Sequence, residues 1–295
     1  MPEGTLRVVQ LNAGSLLEPG WPERRFEIVA WLERLEPDVV CLEEIWEDAT
    51  TPNTAGWIAD QMPAVRWHRS FGGAPFSALG RSDPDLRFGS AVLSRWPIDE
   101  SDHVLLPLAA GVQPAVAGVP WELVWARTAG LDVFACHLAA APQDGRHRQV
   151  QVRAIDDHIR AVRGALDDFT PGTRRAAMPP ILCGDFNAEP DSDEIRFLSS
   201  LTAIDGRTTF FQDAWRVAGD GPGDTQDWRK NPIAAALNVH RKRIDYVFVG
   251  DPFLRASGAG RVLRAELAFH EPITGVLASD HAGLVVDIVW PDRPA

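Results

Sequence analysis

Ile181-Leu182-Cys183-Gly184-Asp185-Phe186-Asn187 is an apolar run that breaks off at two polar residues. Its length and composition are those of a buried strand. Side chains two residues apart on an extended chain point the same way, so Asp185 and Asn187 can meet one ligand. A carboxylate with an amide suits hard oxygen chemistry: Asp185 can take a proton from water while Asn187 orients substrate or metal ligands. Asp, Asn and Gly also favour turns, so the segment by itself assigns nothing.

Three other apolar runs border on a metal-loving or proton-handling residue. Val39-Val40-Cys41-Leu42 leads into Glu43-Glu44, the run 131–136 leads into His137, and Ala278-Ser279-Asp280-His281 stands just before the run 283–290. Such strand ends, taken together, imply that a buried sheet delivers polar groups to a common mouth. Glu44 precedes Ile45-Trp46 and is expected to be partly buried, which is costly for a carboxylate unless it is paired or holds a metal. Oxygen ligands of this type prefer Mg²⁺, Mn²⁺ or Ca²⁺. Glu43 alternates to the opposite face and is expected to be solvated. Asp280 and His281 can divide the tasks, the carboxylate at a metal and the imidazole as acid, base or charge stabiliser. Asp245, between Ile244 and Tyr246, needs a partner, and an imidazole N–H is the natural one. His137 alone reads as a satisfied structural group.

Around these segments, the patterns predict a strand at 6–11 ending in Asn12 and a helix over 22–35. An irregular loop over 69–88, a strand at 89–95 and a hairpin of 123–127 with 131–136 follow. Helices are expected over 146–166 and 192–201, a long loop over 219–233, and strands at 244–249 and 282–290. No repeat or linker divides the 295 residues, so one domain covering 1–295 is expected.

Hydrophobic residues make up 45% of the chain and charged residues 24%, ordinary globular values. No apolar stretch is long enough to span a bilayer, and Met1-Pro2-Glu3-Gly4 has no signal-peptide character, so a cytoplasmic location is expected. The three cysteines lie inside apolar runs and read as small buried hydrophobes. A net charge of −12 disfavours tight, nonspecific binding to nucleic acid. A phosphate-bearing substrate stays open, because a bound divalent cation can supply local positive charge. Glycine-rich phosphate loops, dinucleotide fingerprints and the Gly-x-Ser-x-Gly elbow are all missing from the sequence. No protein partner is implied.

In order, these residues resemble the endonuclease/exonuclease/phosphatase superfamily, the DNase-I-like metal-dependent phosphoesterases. Val9-Gln10-Leu11-Asn12 resembles the first strand ending in its Asn, and Pro37-Asp38 through Leu42-Glu43-Glu44 resembles the motif ending in the metal-binding Glu. Glu43 stands where Gln is usual. Gly89 to Ile98 is similar to a structural signature, and Cys136-His137-Leu138 with Arg148-x-x-Gln151 to the His strand and its helix. Gly184-Asp185-Phe186-Asn187, Arg243-Ile244-Asp245-Tyr246 and Ser279-Asp280-His281 complete the series.

The resemblance implies an α/β, four-layered sandwich: two mixed β-sheets face to face, flanked by helices, with the site where strand ends converge. It further implies Mg²⁺ or Mn²⁺ and hydrolysis of a phosphoester. Glu44 would hold the metal, with Asn12 and Asp280 close by. Asp185 would position or deprotonate water, and Asn187 and His137 would hold phosphoryl oxygens. His281, oriented by Asp245, would stabilise the charged transition state. A phosphodiesterase or phosphatase acting on a small or lipid-linked phosphoester is the expected function. The alternatives are a DNA or RNA nuclease and a non-catalytic binding module on the same fold.

Overall fold

A computed structural model of the chain describes residues 4–81, 83–163, 178–236, 240–250, 255 and 257–294. Strands β1 (Thr5–Asn12) and β2 (Val39–Glu47) are joined by helix α1 (Trp21–Leu35), and α2 (Thr54–Asp60) follows. Next come β3 (His68–Phe71), β4 (Ala74–Pro75), β5 (Arg87–Ser94), β6 (Ile98–Leu105), β7 (Glu122–Thr128) and β8 (Leu131–His137). Helix α3 (Gly145–Arg163) leads towards β9 (Ile181–Asp185), α4 (Asp193–Leu198), β10 (Phe211–Asp213), α5 (Ala214–Ala218) and α6 (Pro232–Ala235). Strands β11 (Asp245–Gly250), β12 (Val262–Ala268) and β13 (Gly283–Val289) close the chain.

The strands form two sheets. One runs β12-β13-β1-β2-β5-β3, with β4 also paired to β5, and the other runs β10-β11-β9-β8-β7-β6. Among the described residues each contains a single parallel pair, β1 with β2 and β8 with β9, among antiparallel neighbours, so both are mixed. Alternation decides the layers. Val8, Cys41, Val124, Val133, Cys183, Val247 and Val286 face between the sheets and make the central core. The opposite faces pack outward: Val9, Leu42 and Ala91 against Ile28 and Leu32 of α1, and Phe134, Leu182 and Phe248 against Val152, Ile155 and Ile159 of α3. Helix, sheet, sheet, helix is the expected four-layered sandwich.

The expected strands and helices are present with small shifts at their ends, and the cysteines are free and buried. The end of the helix expected at 146–166 lies outside the described residues. Several segments differ from expectation: α2, β10 and α5 are short elements that no pattern announced, and α6 begins inside the loop expected over 219–233. Residues 69–88 contain the end of β3 and all of β4, short strands whose backbone pairs with β5. Strand β6 has an almost wholly exposed side-chain pattern, and β12 carries a register irregularity between Val262 and Arg264, so neither shows a clean alternation in sequence. Among the described residues no helix is long and apolar enough to cross a membrane.

Candidate active site

The inward positions of the strands change character at one end of the sandwich. Gln10 and Asn12 follow Leu6 and Val8 on β1, Glu43 follows Cys41 on β2, and Asp185 follows Cys183 on β9. His137 ends β8, and Asp245 begins β11, which runs antiparallel to β9 with Asp245 opposite Asp185. Asn12, Glu44, His137, Asp185, Asp245, Asp280 and His281 are all at least nine-tenths buried.

Local backbone geometry brings the remaining groups in. Strand β2 bulges between Leu42 and Ile45, with Glu44 at φ 57°, so two consecutive glutamates both leave solvent. Glu43 is therefore not solvated, as simple alternation had it: it is fully buried and accepts from Gln10 Nε2 at 2.7 Å. Gly184 lets β9 approach β8, since a Cβ there would collide with the Cys136 carbonyl. Asn187 (φ 48°) turns back; its backbone N–H donates to Asp185 Oδ1 at 2.8 Å and its amide to the Leu138 carbonyl at 3.0 Å. Phe186 points to the outer core, edge-on to Tyr246 at 5.5 Å.

Two motifs are clamps. Arg243 grips Asp213 through two bonds of 3.0 and 2.8 Å, fixing the start of β11. Arg148 donates to the carbonyls of Ala139 and Ala141, while Gln151 accepts from Ala139 N at 3.0 Å. Both hold the turn that follows His137.

At the centre, His281 Nδ1 and Asp245 Oδ2 are 2.8 Å apart, the imidazole–carboxylate pair that the isolated carboxylate required. Gln10 Nε2 holds the other Asp245 oxygen at 2.9 Å. His281 Nε2 faces Asp185 at 3.8 Å and Asp280 at 3.6 Å. Asn12 donates from one amide nitrogen to Glu44 Oε1 and Asp185 Oδ2, each at 3.0 Å, while its oxygen accepts from Gly14 N. It bridges the two carboxylates, leaving one oxygen lone pair for a further partner. His137 Nε2 lies 3.6 Å from Asp185 Oδ2, its ring edge-on to Trp121.

The electrostatics follow from burial. Burial, then the His281 charge, drives the His137 pKa down to about 3, so this ring is neutral. Burial and Asp245 push the Asp185 carboxyl up to about 6. Burial opposes the charge on His281, but Asp245, Asp280 and Asp185 outweigh it and hold its pKa well above the usual imidazole value. Glu44 is raised well above an ordinary carboxyl by burial, then by Glu18 and Asp280.

Sequence reasoning missed Gln226, in the loop after α5. Its Nε2 sits 3.0 Å from Asp280 Oδ2 and 2.8 Å from His281 Nε2. The Asp280 carboxylate dictates that the amide presents N–H groups rather than its oxygen. In the neutral ring that orientation leaves Nε2 to accept and puts the proton on Nδ1, towards Asp245. In its neutral form the ring offers Nε2 as a base, and three carboxylates favour the protonated form that results.

The residues also fit a cation. Glu44 Oε2 is buried without a hydrogen-bond partner, beside a second carboxylate at Asp280. Asp185, Asp245 and His281 likewise offer donor atoms within 4.8 Å of one another. There, however, His281 Nδ1 and Asp245 are already satisfied by each other, so Glu44 and Asp280, with the Asn12 oxygen, are the better cation ligands.

Comparison with known proteins agrees with this geometry. The model of the Endonuclease/Exonuclease/phosphatase family matches residues 9–281. Nocturnin from Xenopus laevis is 22% identical over 284 residues, 93% of this chain and 66% of that protein, so the chain spans just under two thirds of that relative. A solved endonuclease/exonuclease/phosphatase from Beutenbergia cavernae superposes with a TM-score of 0.68 at 22% identity, over 97% of this chain and 72% of that one. D. rerio TDP2, solved with a single-strand DNA product, gives 0.66 at 18% identity over 97% and 99%. At such identities the superpositions speak for the fold, and the family model, spanning both ends of the polar series, speaks for membership: the chain belongs to the endonuclease/exonuclease/phosphatase family.

Proposed function

We propose that this protein hydrolyses a small or lipid-linked phosphoester, as a phosphodiesterase or phosphatase, by in-line attack of an activated water with Mg²⁺ or Mn²⁺ bound. The family as a whole is one of phosphoester hydrolases. The observation that carries the finer reading is His281, bonded through Nδ1 to Asp245 and facing Asp185 and Asp280 through Nε2.

Glu44, Asp280 and the Asn12 oxygen would hold the cation, which when bound neutralises charge on the non-bridging oxygens. Asp185, placed by Asn12 and the Asn187 backbone, orients the water. His281 Nε2 takes its proton once Gln226 gives way, and Asp245 keeps the imidazolium oriented. Neutral His137 and the Asn187 amide donate to phosphoryl oxygens without attracting a competing anion. Burial keeps bulk water from these charges, which strengthens each contact.

One observation favours nucleic acid as an alternative substrate. Trp228 is 41% exposed two residues beyond Gln226, with Arg229 5.6 Å over its ring, a pairing on which a base can stack. The DNA product bound to the TDP2 relative points the same way; the net charge of −12 points against it. Purified protein with Mg²⁺ or Mn²⁺ should be assayed against phosphodiesters, phosphomonoesters, sphingomyelin-type lipids, inositol phosphates, nucleotides, DNA and RNA. Turnover of a small or lipid-linked ester with little on polynucleotides is expected. Preferential, salt-sensitive cleavage of DNA or RNA would establish the nuclease instead, and no cleavage of any member would overturn the hydrolase reading.

A further inference from the structure

Arg24 on α1 is 3% exposed, and it uses every N–H it has on backbone carbonyls. Nε donates to Pro19, Nη1 to Ala13 and Ala278, and Nη2 to Gly14 and Glu18, at 2.6 to 3.1 Å. The guanidinium thereby folds the segment 13–19 back over the end of β1 and ties it to the segment before β13 that carries Asp280. Its charge is felt by Glu18, Asp280 and Glu44. It has no N–H left to give any of them.

The fold-back delivers a carboxylate. A Cβ on Gly14 would collide with Glu18 Oε2, and Gly14 has φ 52°, where glycine is favoured. Gly14 N donates to Asn12 Oδ1 at 3.0 Å, which sets position 14 beside the mouth, and its missing side chain is the space that Glu18 fills. Glu18 Oε2 is buried with no hydrogen-bond partner. Independently, Glu44, nine-tenths buried, leaves its own Oε2 without a partner. Glu18, Glu44 and Asp280 repel one another across this space. Among the described residues, neither glutamate has an ion pair, and Asp280 has only His281 at 3.6 Å. Mutually repelling, desolvated carboxylates with orphan oxygens either take up protons or are joined by something positive, and a cation satisfies all of them at once.

We propose that Glu18 is a further ligand of the divalent cation held by Glu44 and Asp280, supplied by the Arg24-clamped loop in place of a side chain at position 14. This rests on the metal-dependent reading of the same site. It makes the cation's oxygen set richer in charge by one carboxylate, which favours a hard divalent ion. The loop is also given a purpose that its lack of periodic sequence hides.

Calorimetric titration of MnCl₂ into the metal-free full chain tests this, comparing wild type with Glu18→Gln, Glu18→Asp and the exposed control Glu23→Gln. Glu18→Gln should weaken Mn²⁺ binding by at least about 10- to 100-fold, the loss typical when even an outer partner of a metal ligand is removed. Glu18→Asp should weaken it less, and Glu23→Gln should match wild type. Melting temperatures without metal should be unchanged or raised in Glu18→Gln, while the stabilisation gained on adding Mn²⁺ shrinks. Wild-type affinity in a folded Glu18→Gln protein would overturn the assignment and leave the metal-dependent reading standing. Equal weakening by Glu23→Gln would also overturn it, as a general charge effect. Failure of the wild-type chain to bind Mn²⁺ at all would overturn that reading, and the assignment with it.

Discussion

The two ends of the inter-sheet layer are built from the same strands and have opposite characters. At one end the inward positions of β1, β2, β7, β8, β9 and β11 are Val8, Cys41, Val124, Val133, Ile181 and Val249, all fully buried apolar side chains. At the other end the same strands turn inward Gln10, Glu43, Glu122, His137, Asp185 and Asp245, also buried. Burial is equal, so solvent access does not explain the change. The apolar end gains hydrophobic free energy and close packing. The polar end loses it, and is held by hydrogen bonds that cross between the sheets, such as Gln10 to Asp245. A protein departs from local consistency in this way at the place where it works. Stability should therefore be sensitive at one end and turnover at the other.

Substitutions can break that contrast. Ile181→Ala leaves a cavity in the floor and should cost about 2–5 kcal/mol by denaturant titration, with kcat per folded molecule nearly unchanged. A matching fall in kcat would mean that the ends are not independent. Glu122 sharpens the contrast through pH. Its Oε1 accepts from Ser90 N and Gly73 N, but burial dominates and raises its carboxyl from 4.5 to about 7. The folded protein holds this proton more tightly than the unfolded chain does. The stabilisation is complete below about 4.5 and is lost as pH climbs through about 7. Glu122→Gln has no proton to lose, so over that window wild type should fall behind it by up to ~3 kcal/mol. Parallel denaturation curves at the two pH limits check this, and an unchanged gap would refute it. The smallest effect is expected for Gln226→Leu, which removes one amide from His281 and Asp280: about tenfold in kcat, or ~1.4 kcal/mol, with KM less altered. An effect confined to KM would make Gln226 a substrate contact instead.

Much of this was legible in the sequence, for a physical reason. A strand buried on both faces reads as a continuous apolar run, so a carboxylate or imidazole at its end stands out, as at Asp185, His137 and Glu44. The pairing of Asp245 with His281 was likewise deducible from the cost of an isolated buried carboxylate. What escaped was set by backbone irregularity or by long-range contact. The bulge at Glu44 turns Glu43 inward, and a bulge leaves no residue-type signature here. Strands β3 and β6 at sheet edges have side chains that alternate poorly between core and solvent. Gln226 lies in a loop and meets Asp280 and His281 only when they arrive from elsewhere in the chain, while the Glu18 loop is shaped by backbone carbonyls that Arg24 binds, a contact without a sequence signature.

The contrast between the two ends is tested most directly at Asp185, by measuring turnover and melting temperature on the same Asp185→Ala preparation, with Mg²⁺ or Mn²⁺ and the best substrate found for wild type. The account predicts a fall in kcat of ~10²–10⁴, with a melting temperature equal to or above wild type, because one of several repelling buried carboxylates is gone. Near-normal turnover in the folded variant would contradict it.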